Sequence, residues 1–279
     1  MIKLNKKDLK DFDRHSSKGN QLKFEKGGYW YKADFTGYEG LAEHMVSEVL
    51  KRSNLSSDEF VSYDTEEIRY EDSVFYGCKS KNFLEPGMQL ITLERLYMNK
   101  TGESLQKNIW KIREDNPRRL RYLVENIESI TGISDFGVYI AKMMTIDALF
   151  LNEDRHMHNI AVLMSDSEEY SLCPFFDQGA ALMSDTTTDY PMSAGLNKLY
   201  SKTKAKTFNS DFDEQLDVAE SLYGDTIRFS ITKKEVDSIL EKEEYYPLEI
   251  KNRVRDIIFH QMDKYAYLFY HLPCVSKIT

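Results

Sequence analysis

The stretch Leu151-Asn-Glu-Asp-Arg-His-Met-His-Asn-Ile-Ala-Val-Leu163 sets a polar knot between two apolar runs. The run before it reads as a long apolar helix, capped by Ser134 and reaching about Phe150, and "IAVLM" after it reads as a short strand. At such a junction polar side chains can converge without being desolvated inside an element. A second strand, read across "YSLCPFFD" beyond the polar tip "SDSEE", ends on Asp177 beside Gln178 and Gly179, so the hairpin is expected to bring Asp177 beside Asn159. Two carboxylates and an amide oxygen make a hard-oxygen set that suits Mg²⁺ shared with substrate phosphates. In phosphoryl transfer one Asp accepts the proton of the attacking hydroxyl, an Asn five residues later holds a metal, and a further Asp before a glycine holds the bridging metal. Asp154, Asn159 and Asp177 fit those roles in order, with Asn159 and Asp177 as the metal ligands.

The rest of the composition is compatible with a catalytic globular protein. The 279 residues are 41 % hydrophobic and 30 % charged, with 15 Phe and 18 Tyr, enough large apolar side chains to offset the entropy of ordering. A net charge of −9 argues against a whole-surface nucleic-acid binder, which would neutralise phosphates with clustered Lys and Arg. The basic runs Lys3 to Lys10 and Lys111 to Arg121 read as solvated faces, and no nucleic-acid role is assigned to them. Cys78, Cys173 and Cys274 are widely spaced and show no zinc-binding pattern, so reduced, buried or half-buried thiols are expected. The start "MIKLNKKDLKDFD" lacks the apolar stretch of a signal peptide and no run approaches a membrane span, from which a cytoplasmic protein without membrane contact is expected.

There is no internal repeat. "LKFEKGGYWYKADF" (Leu22 to Phe35) predicts a β-hairpin turning at Gly27-Gly28. "EGLAEHMVSEVLKRSN" (Glu39 to Asn54) predicts a helix with Leu41, Met45, Val49 and Leu50 on one face, and "MQLITLERLYM" (Met88 to Met98) reads as a β-rich run. From about Leu105 the pattern turns helical: Leu120, Leu123, Ile127 and Ile130 recur after Asn116-Pro117, and Gly132 closes that helix. An α+β fold follows, with a smaller lobe at residues 1–102 and a larger, mostly helical lobe at 103–279.

Asp154-Arg155-His156-x-x-Asn159 resembles the D-R-H-x-x-N catalytic loop of phosphatidylinositol 3/4-kinase-like enzymes and of HipA-like serine/threonine kinases, and Asp177-Gln178-Gly179 resembles their D-x-G metal motif. "SSKGNQLKFEKGGYWYKADF" is similar to the HipA-like S-x-x-G-x-Q-x-K phosphate loop followed by a hairpin that carries the ATP-binding lysine. The resemblance covers about residues 14 to 180 and implies a bilobal protein kinase-like fold that uses ATP and Mg²⁺. It implies phosphate contacts from Ser17 (or Ser16), Gly19, Asn20, Gln21 and Lys23, a phosphate-pairing Lys32, and Glu43 as the helix glutamate that positions it. It further implies an adenine hinge at Leu93-Glu94-Arg95-Leu96, contributing Glu94 and Leu96. His156 reads as a hydrogen-bonded buttress of the loop, and His158 as a solvated neighbour.

Several of these residues have a plainer reading. Lys32 could be one more surface lysine, Glu43 competes with Glu39 and Glu48, and Ser16 or Ser17 could be autophosphorylation sites or simply turn residues. Few residues precede Ser16, so the chain resembles the stand-alone kinase core of the family. The function expected is an ATP- and Mg²⁺-dependent serine/threonine protein kinase, with a separately encoded antitoxin or regulator as a partner that the resemblance implies. A lipid or small-molecule kinase is the first alternative, although Ser184 to Lys206, the expected substrate loop, offers only four lysines against anionic head groups. A nucleotide-binding module without turnover is the second.

Overall fold

The computed structural model describes residues 1–10, 21–113, 115–225 and 227–270. In chain order its elements are β1 (Ile2–Leu4), β2 (Lys23–Lys26), β3 (Tyr29–Ala33), α1 (Glu39–Leu50), β4 (Tyr63–Tyr70), β5 (Ser73–Lys81) and β6 (Met88–Thr92). Four helices follow, α2 (Leu93–Thr101), α3 (Leu105–Lys111), α4 (Asn116–Thr131) and α5 (Phe136–Phe150), then the strands β7 (Ala161–Ser165) and β8 (Tyr170–Leu172). The last described elements are α6 (Leu196–Tyr200), α7 (Phe212–Tyr223), α8 (Lys233–Lys242), α9 (Leu248–Lys264) and a 3₁₀ turn at Ala266–Leu268. These elements gather into two compact units, Met1–Asn82 with Phe176–Thr203 and Arg228–Thr279, and Phe83–Phe175 with Lys204–Ile227. Residue 102 falls within the second unit.

The first unit is built on a five-stranded sheet in the order β1-β4-β5-β3-β2. The predicted hairpin is present: β2 and β3 pair antiparallel, with Gly27 at φ 60° and Gly28 at φ 78°, the two positive values that a type I′ turn demands. One face of the sheet packs a small core of Leu4, Phe24, Tyr31, Ala33 and Ile68. Strand alternation puts Lys32, Cys78 and Thr65 in one cross-strand row on the other face, with Tyr63 two residues along β4 on the same side. Helix α1 packs there and buries Leu41, Met45, Val49 and Leu50 as its periodicity predicts. It stops at Leu50 rather than at Asn54, because the backbone of the next residues pairs elsewhere: Asn54 N–H donates to Arg228 O at 3.0 Å and Ser230 N–H to Arg52 O at 2.7 Å.

Two glycines set how closely α1 sits. A Cβ on Gly40 would overlap the carbonyl carbon of Gly77 and lie 2.6 Å from its Cα, so helix and β5 meet backbone to backbone.

The second unit holds a three-stranded sheet, β6-β7-β8, and the helices α2 to α5 and α7. Helix α5 is apolar around most of its circumference and nearly every residue in it is buried, as such a helix must be. It begins after Asp135, not at Ser134, while Gly132 closes α4 in the left-handed conformation as predicted. The β-rich reading of Met88 to Met98 fails beyond Thr92. There the Thr92 hydroxyl accepts the Arg95 N–H and starts α2, and Leu93, Leu96 and Tyr97 bury at helical spacing. Strand β8 also ends early, at Leu172, since Pro174 has no N–H to continue a ladder. Cys78 and Cys173 are buried free thiols, as expected; Cys274 lies outside the described residues. Among the described residues no helix is long and apolar enough to cross a membrane.

A Cβ at Gly40 has only backbone to displace, so Gly40→Ala is expected to cost about 2–3 kcal/mol in urea unfolding; a change below about 0.5 kcal/mol would contradict the close contact.

Candidate active site

In the first unit β3 presents Lys32 to two carboxylates. Its Nζ lies 2.5 Å from Glu43 Oε1 on α1 and 2.7 Å from Asp177 Oδ1, with Glu43 only 1 % exposed, Lys32 13 % and Asp177 27 %. Of the glutamates that compete for this role, only Glu43 pairs with the lysine. Glu39 is turned to the Thr36 and Gly37 N–H groups at the start of α1, and Glu48 to Lys51 and Arg52. Burial disfavours the Lys32 charge, but Asp177 and Glu43 outweigh it and hold the ammonium well above its ordinary pKa. Lys32 is therefore a structural cation of this unit rather than a surface lysine.

Asp177 stands in a left-handed conformation, φ 61°, which costs an L-residue roughly 1–2 kcal/mol. Two successive peptide groups hold it there. Its own N–H donates to the Tyr63 hydroxyl at 3.5 Å, and Gln178 N–H donates to Glu43 Oε2 at 2.7 Å. Glu43 thus ties the lysine with one oxygen and the loop with the other.

In the second unit the Asp154 to Asn159 loop is pinned by its arginine. Arg155 is 2 % exposed; its Nε donates to both oxygens of Asp147 on α5, at 3.2 and 3.1 Å, its Nη1 donates to Asn159 O, and its carbonyl accepts the Thr207 hydroxyl. Met157 N–H donates to Gln106 Oε1 at 3.0 Å and Glu94 N–H donates to Met157 O at 3.0 Å, which ties the loop to α3 and α2. Within this frame Asn159 Nδ2 donates to Asp154 O at 2.8 Å and to Asp154 Oδ2 at 3.0 Å, so the amide oxygen takes no part in these bonds. Lys206 Nζ and His156 Nε2 each lie 3.6 Å from Asp154 Oδ1. His156 Nδ1 accepts the His158 N–H at 3.2 Å, and burial, opposed by Asp154, lowers the pKa of its ring, which leaves it a neutral prop beside Asp154.

Glu94 and Leu96, read as an adenine hinge, sit in the first two turns of α2. Leu96 is buried, and the Glu94 carboxylate accepts the Gln106 N–H at 2.9 Å. Lys23 opens β2 opposite Lys32 in register, and Gln21 precedes it. Ser16, Ser17, Gly19 and Asn20 lie outside the described residues. Asp147, Tyr63, Gln106 and Lys206 belong to none of the sequence motifs. Asp147 had left a signal, the lone acid in the apolar run Met143 to Phe150, whereas a tyrosine opening a strand and a lysine in a polar loop left none.

No protein-family model matches this chain, and no curated protein matches it in sequence. Among solved structures it is similar to CtkA, a proinflammatory kinase of Helicobacter pylori, with a TM-score of 0.60, 14 % identity, and 94 % of each chain covered. The fold is kinase-like. The α+β class read from the sequence is therefore borne out at the level of the fold.

Arg155→Ala strands a buried carboxylate and is expected to lower stability by about 3–5 kcal/mol, much of it regained in Asp147→Leu/Arg155→Met; a loss below about 1 kcal/mol in urea unfolding would contradict the anchor. Asp34, which follows β3, accepts Gly40 N–H at 2.6 Å and the Tyr246 hydroxyl at 2.7 Å. Burial, reinforced by Glu39, pushes its carboxyl up from 3.8 to about 7. Between those values the folded chain holds a proton that the unfolded chain has lost, so stability falls as pH rises through this window. Asp34→Asn should flatten that fall, and an unchanged pH profile of the unfolding free energy would refute the assignment.

Proposed function

We propose that this protein is an ATP- and Mg²⁺-dependent serine/threonine protein kinase of the HipA-like type. The observation that carries the reading is the buried Lys32, paired at once with the α1 glutamate and with the aspartate of the D-x-G motif, on a chain whose fold is kinase-like. A lysine on β3 paired to a helix glutamate is what protein kinases use to hold the nucleotide phosphates. Asp154, held by Asn159 and by a loop anchored through Arg155, is the base in this reading.

The donors suit Mg²⁺. The Asp177 carboxylate and the Asn159 amide oxygen are hard oxygens, and Mg²⁺ is commonly held by one or two protein oxygens while sharing the rest of its shell with phosphates and water. Mg²⁺ held by such donors would neutralise charge on the phosphate oxygens. The protein's own part is positioning. Lys32 fixes the phosphates as a point charge, and Asp154 takes the proton from a serine or threonine hydroxyl as its oxygen bonds to the γ-phosphorus. The bond from that phosphorus to the bridging oxygen breaks with its electron pair leaving on ADP. Glu94 and Leu96 on α2 and Gln21 and Lys23 before β3 are assigned to the nucleotide, and Ser17, Gly19 and Asn20 to its phosphates.

The test is intact-mass analysis and ADP release after incubation with Mg²⁺-ATP, alone and with casein as a general acceptor. Wild type is expected to transfer phosphate, and Asp154→Ala and Asp177→Ala to lose about 100-fold or more while staying folded. Undiminished turnover in Asp177→Ala, or no ADP and no phosphoprotein from the wild type, would overturn the reading.

A further inference from the structure

Strand β4 opens on Tyr63, a residue that no motif singles out, and it reaches the charge site of the first unit on three sides. Its ring lies 5.2 Å from Lys32 Nζ, and its hydroxyl accepts the Asp177 N–H. Its peptide groups face α1: Tyr63 N–H donates to Ser47 Oγ at 3.1 Å, and Tyr63 O is bonded to His44 Nδ1 at 2.8 Å, both on the helix that carries Glu43. One 4 % exposed side chain and its own backbone therefore join the lysine, the glutamate's helix and the aspartate's loop.

We propose that Tyr63 is a positioning residue of the phosphoryl-transfer site, its hydroxyl holding the left-handed turn that aims the Asp177 carboxylate. This rests on the kinase reading given above. The two N–H groups that hold the turn are not equivalent. Glu43, which takes the Gln178 N–H, is also committed to Lys32, so its grip on the loop follows the state of the lysine. Tyr63 accepts the Asp177 N–H itself, and its backbone is bonded to Ser47 and His44 on α1. A tyrosine serving only as core would owe its place to the ring, and phenylalanine would then replace it without local effect.

Tyr63→Phe keeps the ring and removes the acceptor, which separates the two roles. Amide hydrogen exchange is followed in peptides covering residues 176–180 and, as a reference, in α9, on the full chain. Exchange at 176–180 is expected to quicken about fivefold, the loss of one ordinary hydrogen bond, with α9 unchanged. In parallel the Mg²⁺ concentration for half-maximal phosphate transfer is expected to rise by a similar factor, while the KM for the protein acceptor stays the same. Unchanged exchange at 176–180, or an equal rise in both regions, overturns the proposal in favour of a packing role, whatever the kinetics. Faster local exchange with an unshifted Mg²⁺ dependence overturns the link to Asp177 as a ligand. Failure of the wild type to transfer phosphate overturns the kinase reading alone, because exchange still reports on the Tyr63 bond.

Discussion

A lysine ammonium enclosed by protein is stable only with anionic partners, and Lys32 has two. That requirement organises the first unit. Strand β3 must place its fourth residue on the face that α1 covers, α1 must bring an acid near its first turn and a half, and the chain returning after β8 must deliver a second acid to the same nitrogen. The cluster sets one ammonium against two carboxyl groups, and burial, opposed by Lys32, pushes the Glu43 carboxyl up. Asp177, the most exposed of the three, is the member that keeps contact with water.

The loop of the second unit divides its labour among neighbouring residues. Arg155 faces inward and spends its donors on Asp147 and the Asn159 carbonyl, while Asp154 and Asn159, one to either side along the chain, keep side chains linked to each other. A buried ion pair is weak evidence of stability but strong evidence of fixed geometry, since neither partner can leave without stranding the other. The helix end is shaped to match: Leu151 closes α5 at φ 56°, turning the chain sharply into the polar knot.

What could be read from the sequence was local. The Gly27-Gly28 turn, the apolar stripe of α1, the glycine at the end of α4 and the β7–β8 hairpin each follow from a few adjacent residues and came out in place. Spacing also singled out Asp154, Asn159 and Asp177, and the structure shows the first two bonded to each other and the third paired with Lys32. The misreadings arose where distant chain decides the outcome. Leu93 to Met98 suits strand or helix by composition, and only the Thr92 cap with the bond from Leu93 N–H to Ile160 O resolves it. The parallel pairing of β1 with β4 and the grip of Tyr63 on Asp177 join residues far apart in the chain and leave no periodic trace. Asp147 was visible as an acid in an apolar run, but its partner eight residues on could not be named from that run.

The contact between Gly40 and Gly77 has a consequence for how this site can drift over evolution. Where a helix rests on a sheet through side chains, exchanging one apolar residue for another shifts the gap between them, and such shifts accumulate. Here the gap is set by main-chain atoms for as long as position 40 remains glycine. The reach from α1 to Lys32 is thereby insulated from turnover in the surrounding core, and a lineage can replace most of its apolar residues without recalibrating the distance at which Glu43 meets the lysine.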